Sequence, residues 1–128
     1  MLYSYEHKVT AEEIDVFKVV HFSNYFKWCS TALIEFFSSN GLGAGVFDNG
    51  KTEIRMGRVS AVYSKSAFYQ DKININIEKL KNQRNSIEVL FKVKRENEAL
   101  VKMKLTVAFV DSIEKKLVSV PKSVLSLA

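Results

Sequence analysis

One cysteine, one proline and two histidines occur in 128 residues, and each shortage excludes something. Cys29 has no second cysteine to pair with, so a disulfide-stapled secreted scaffold is excluded and a reducing cytoplasm is the expected compartment. His7, His21 and Cys29 show no metal-ligand spacing, so neither a zinc site nor any cofactor is expected. The lone proline and five glycines leave little room for disordered linkers. No apolar run approaches the roughly 18 residues that a membrane span needs. The opening Met1-Leu2-Tyr3-Ser4-Tyr5-Glu6-His7 lacks the charged-then-apolar order of a signal peptide.

What remains is an ordinary globular composition, 47% hydrophobic and 26% charged, and a single domain over residues 1–128 is expected. The net charge is +5, and a basic surface attracts phosphates, acidic proteins, nucleic acids or anionic lipid. The cations, Lys65, Lys72, Lys79, Lys81, Arg84, Lys92, Lys94, Arg95, Lys102 and Lys104 among them, are spread along the chain. No compact basic run with interleaved aromatics occurs, so nucleic-acid binding is not expected.

Hydrophobic periodicity divides the chain. Tyr3, Tyr5, His7 and Val9 alternate with polar residues, as in a strand. From Ser23 the period changes: Tyr25, Trp28, Cys29, Ala32, Leu33, Phe36 and Phe37 recur at steps of three and four, which predicts an amphipathic helix of about five turns. Ser23 or Asn24 is expected to cap its start, and Asn40-Gly41 to end it. Gly41, Gly43 and Gly45 follow a helix rather than a strand, so they read as a connector and not as a phosphate loop. Strands are expected over residues 53–69 (long and bent), 73–77, 87–93, 100–110 and 117–120, with a turn at Glu96-Asn97-Glu98. One helix against a large antiparallel sheet is an α+β arrangement. So large a sheet leaves edges to cover, and a homodimer, or a tetramer, is expected.

Between the first strand and the helix lies Glu12-Glu13-Ile14-Asp15-Val16-Phe17-Lys18-Val19-Val20-His21-Phe22-Ser23-Asn24-Tyr25. It sets the Asp15 carboxylate in an apolar loop just before a helix N-terminus, where free N–H groups offer a positive end. The residues alone leave Asp15 as either a solvated turn acid or a reactive carboxylate. Glu12 and Glu13 read as solvated loop acids, with Glu13 in reserve. His7 reads as a strand surface residue, and Cys29 as a buried inert thiol. His21 is either substrate-facing or a hydrogen-bonded, partly buried side chain. Trp28 and Phe36 read as core.

Three stretches together resemble the hotdog-fold acyl thioesterases of the 4-hydroxybenzoyl-CoA thioesterase-like group. Asp15 to Trp28 is similar to that family's Asp-x-x-Gly, apolar pair, aromatic or His, small residue, Asn or Ser, Tyr. Tyr63-Ser64-Lys65-Ser66-Ala67-Phe68-Tyr69-Gln70-Asp71 is similar to Tyr-x-x-Pro-Ala-x-x-Gly-Asp. Leu80 to Val93, through Asn85-Ser86-Ile87, resembles the entry to a long strand. The chain departs from the pattern at Lys18 and Gln70, where the family has glycine, at Ser66 (proline), and at Phe22, where some members carry histidine and this chain has His21 one position earlier.

The resemblance implies an antiparallel sheet wrapped around one long central helix, and hydrolysis of an acyl-CoA or acyl-carrier-protein thioester at a dimer interface. It places Asp15 at the catalytic carboxylate position, as nucleophile or general base. Backbone amides around Phe22, Ser23 and Asn24 are the oxyanion-hole candidates. Lys18, His21, Asn24 and Tyr25 would shape the substrate pocket, and Lys65, Lys81 and Arg84 are candidates for CoA or carrier phosphate. Lys18 in the glycine position also motivates a second reading, an acyl or carrier-protein binding protein without hydrolysis, and a hotdog dehydratase is a third.

Overall fold

A computed structural model of the chain describes residues 1–43, 46–47 and 50–128. Six antiparallel strands form one sheet in the order β1-β4-β5-β6-β3-β2. They are β1 (Tyr3–Lys8), β2 (Val46–Phe47), β3 (Thr52–Tyr63), β4 (Lys72–Asn82), β5 (Ser86–Arg95) and β6 (Glu98–Asp111). The helix α1 (Ser23–Ser39) follows a short 3-10 turn at Ala11–Glu13, and a single helical turn, α2 (Lys122–Leu125), closes the chain. The α+β expectation holds.

The two periodicities of the sequence meet in the core. The α1 stripe of Tyr25, Trp28, Cys29, Ala32, Leu33, Phe36 and Phe37 is buried throughout. It packs on alternate residues of the central strands, including Ile75, Ile77, Val89, Phe91, Leu105 and Phe109, all at most 2% exposed. Burial of that apolar area drives the assembly, at about 25 cal/mol per Å². The opposite sheet face carries the intervening polar residues. Asn40 ends the helix with its N–H donating to Phe37 O, and Gly41 follows at φ 74° with its N–H donating to Ser38 O. Gly45 of the glycine run lies outside the described residues.

Three local expectations change. The strand over 53–69 stops at Tyr63, after a register shift between Met56 and Arg58. Residues 64–71 are a tethered loop instead: Ser64 and Lys65 N–H both donate to Leu100 O, and Gln70 N–H to Val9 O. The strand over 117–120 reduces to one bridge, Val110↔Leu117, because past Val118, whose N–H donates to Phe109 O, the chain leaves β6 and Val120 N–H donates to Arg84 O in the β4–β5 turn. The helix cap also differs. Phe22 is the N-cap residue, and Ser23 and Asn24 lie inside the first turn, where their side chains serve other partners.

Candidate active site

Residues 14–20 form a miniature hairpin. Ile14 bridges Val20, Asp15 N–H donates to Val19 O, and Lys18 N–H donates to Asp15 O. The turn closes with Lys18 at φ 65°, a left-handed conformation that glycine adopts at least cost. Gln70, the other residue standing where the resembled family has glycine, is left-handed too, at φ 68°. Both loops therefore keep the backbone path of a glycine while carrying a side chain. Asp15 Oδ1 accepts the Phe17 N–H at 2.8 Å, which fixes the carboxylate against its own turn. Val16 and Phe17 form the exposed tip, 89% and 79% accessible.

Glu13 holds this hairpin to the body, contrary to its expectation as a solvated acid. It is 7% exposed. Its Oε2 accepts the Trp28 indole N–H at 2.6 Å, and its Oε1 accepts the Thr10 N–H at 2.9 Å and lies 2.8 Å from His7 Nε2. Burial alone would push this carboxyl up, but the hydrogen bonds with His7, Thr10 and Trp28 outweigh it and hold Glu13 below its ordinary value. His7 is correspondingly no surface residue: its ring packs on Trp28 at 4.9 Å, drawn in by the carboxylate. The backbone of Glu13 contributes as well, its carbonyl accepting the His21 N–H and the Asn24 amide. Sequence reasoning missed this clasp because its members are 6 and 15 residues apart.

A cleft of about 420 Å³ opens beside the hairpin, lined on one side by Asp15, Phe17, His21 and Phe22 and on the other by Tyr63, Ser64, Lys65 and Ser66. Tyr25 forms part of its floor. This phenol is 3% exposed, and its oxygen accepts the Ala67 N–H at 2.9 Å, pinning the far wall to α1. Arg95 ties the same wall down, donating to Ser66 O and to Asp71 Oδ2. Tyr63 is half exposed and its ring meets Phe22 and Tyr25 at 6.4 and 5.7 Å, so the entrance is aromatic. Tyr63, Phe17 and Arg95 were not singled out from sequence as site residues. Tyr63 was visible only as the first letter of a motif.

The amides at the start of α1 are not equivalent. Ser23 N–H donates to His21 Nδ1 at 3.3 Å, and Asn24 N–H to His21 O at 3.0 Å. The Phe22 N–H has no hydrogen-bond partner among the described residues. His21 is exposed, stacks on Phe22 at 4.6 Å and holds Ser23 Oγ with Nδ1 at 2.7 Å. Cys29 is fully buried, and burial pushes its thiol far above the usual range, which removes it as a nucleophile.

The expected phosphate cations divide. Lys65 lies on the cleft wall but is paired with Glu98. Lys81 aligns through Glu88 and Thr106 with Arg58, and so lies at the other end of the sheet from Tyr63, roughly 16 Å along the strands. Arg84 follows it in the β4–β5 turn. Lys18 stands exposed on the hairpin.

Known proteins fit this geometry. The profile of the thioesterase-like superfamily matches residues 9–127, and the chain belongs to that superfamily. An Aquifex aeolicus protein named "Putative esterase" is 30% identical over 129 residues, covering 99% of this chain and 98% of its own. The crystal structure of a hypothetical protein from Aquifex aeolicus superposes with a TM-score of 0.89 at 28% identity, over 98% of each chain. A 1,4-dihydroxy-2-naphthoyl-CoA thioesterase from Synechocystis superposes with a TM-score of 0.85 at 15% identity, over 98% of this chain and 93% of that one. The fold is the hotdog fold, a sheet wrapped around one long helix.

Proposed function

We propose that the protein hydrolyses an acyl thioester in the cleft between the Asp15 hairpin and the 64–71 loop. One observation carries the reading: in a chain of the thioesterase-like superfamily, Asp15 and Phe22, the helix-cap residue whose N–H is unengaged among the described residues, line one cleft. Asp15 activates a water for attack on the thioester carbonyl, or attacks it directly to give an anhydride that water then opens. The oxyanion of the tetrahedral intermediate is met by the Phe22 N–H and the positive end of α1. Collapse of the intermediate expels the thiolate, which takes up a proton, and leaves the free acid.

The acyl group enters past Phe22 and Tyr63, and the thiol carrier is CoA or an acyl-carrier protein. Lys18, exposed on the hairpin, and Lys65, on the cleft wall, are the cations offered to a carrier phosphate. Because Lys18 keeps the left-handed backbone of a glycine, its presence does not redirect the loop, and hydrolysis is favoured over binding without turnover. The working unit is a homodimer. Beyond Thr52 and Glu53, the free edge of β3 has no strand partner among the described residues, and it exposes Met56, Val59 and Tyr63. A panel of acyl-CoA thioesters, assayed with wild type and Asp15→Asn side by side, tests the reaction. Wild type should turn over at least one of them, and the variant should fold normally yet lose about a hundredfold or more. Equal rates for the two proteins would overturn the assignment.

A further inference from the structure

The cations that look dispersed along the sequence gather on one surface. In β5 and β6 every second residue points away from α1, and those positions hold Lys92, Lys94, Lys102 and Lys104, with Lys81 on β4 and Arg58 on β3 beside them. Glu78, Glu88 and, in the row of Lys94, Glu6 offset them there in part, and Glu88 reaches Lys104 at no better than 3.9 Å. Lys92 and Lys102 stand directly opposite each other across the β5–β6 ladder, an arrangement that like charges disfavour. At the centre of this face runs an open groove of about 320 Å³, whose outward apolar side chains are Leu90 and Val62, flanked by the lysines.

We propose that this outer sheet face docks an acidic, amphipathic helix of the protein that carries the acyl group, so that the thioester is presented on a carrier protein. The inference rests on the hydrolase reading above. A helix of about 10 Å diameter spans two to three strands at their spacing of about 4.8 Å, which matches the β4–β5–β6 surface. Its apolar side would cover Leu90 and Val62, and its carboxylates would relieve the Lys92–Lys102 repulsion. A nucleic-acid backbone has no use for the apolar groove. A second copy of this chain is disfavoured because a two-fold contact sets each lysine against the same lysines. Val62 on the groove and Tyr63 on the cleft are successive residues at the end of β3, on opposite faces of the sheet, so a carrier docked on the groove presents its acyl arm around that strand end.

The test is binding of a holo acyl-carrier protein to the Asp15→Asn form, in which hydrolysis does not interfere. Lys102→Glu turns a repulsive cross-strand pair into an attractive one, so the fold is retained while docking is opposed. Affinity should fall by about tenfold in Lys102→Glu and fall again with added salt. In hydrolysis assays the same substitution should raise KM for an acyl-carrier protein and leave the rate on the acyl N-acetylcysteamine thioester unchanged. Undiminished carrier binding by Lys102→Glu would overturn the proposal, as would binding of anionic vesicles or duplex DNA but not of the carrier. Failure of wild type on every thioester, with charge-dependent carrier binding intact, would instead sink only the hydrolase reading.

Discussion

Three donors converge on the Glu13 carboxylate, and no lysine or arginine is among them. Each is left wanting if the acceptor changes. Glu13→Gln keeps the volume but turns an NH2 group toward at least one donor, and each unsatisfied buried group costs about 1–3 kcal/mol. The variant should unfold at lower urea concentration with an unchanged slope, and a midpoint equal to wild type would refute the clasp. The sign of the pH dependence follows from the lowered carboxyl. This stabilisation is full above the ordinary carboxylate value of 4.5 and is lost as pH falls through the lower folded value. The urea midpoint of Glu13→Gln should therefore diverge most from that of wild type above pH 4.5 and approach it as pH falls through the lower folded value.

Lys18 presents the opposite case, a residue whose backbone is harder to hold than its side chain. A left-handed non-glycine residue costs about 1 kcal/mol or more, and glycine there avoids it at some loss of chain entropy. Lys18→Gly should leave stability unchanged or slightly raised. Lys27→Gly, in the exposed interior of α1, should cost about 1 kcal/mol by the same denaturation measurement.

Among the elements, the helix was the easiest to read and its first turn the hardest. Seven stripe positions announce α1 by their spacing, and all seven are buried. The capping preference of Ser and Asn pointed to Ser23 and Asn24, but His21 and the Glu13 carbonyl claim those side chains first. Propensity describes what a residue can do locally and cannot register a partner from the next loop. The same limit hid the 64–71 wall. Its apolar letters continue the alternation of β3, yet a phenol from α1 and a guanidinium from β5 take its backbone groups in place of a neighbouring strand. Tyr25→Phe removes one of those anchors and leaves the buried Ala67 N–H unpaired. It should cost about 1–3 kcal/mol and lower kcat/KM through a looser cleft, whereas equal stability would show the tether to be idle.

At the level of the whole molecule, the succession of elements and the alternation within each strand were legible because burial on one face enforces a period of two, whereas the order of strands across the sheet was not. The gathering of lysines on the other face follows from that alternation, but it appears only when strands are placed side by side. The Asp15 neighbourhood was legible as a stretch of sequence, while the separation of Lys81 and Arg84 from it was not, since register decides which end of a strand a residue occupies. The exposed β3 edge should dimerise in solution, giving twice the 14.6 kDa chain mass by light scattering. Met56→Lys with Val59→Lys should shift that mass to the monomer, and a wild-type monomer would dismiss the dimer outright.

The clasp at Glu13 ties the Asp15 hairpin to β1, which is the outermost strand of the sheet at the side away from β3. Outermost strands fray first, and when β1 lifts, His7 leaves with it. Loop order and strand opening then share one clock, which the Trp28 indole proton can report. Its hydrogen exchange should keep pace with the β1 amides that bond to β4 and run faster than exchange in the central ladder of β5 and β6.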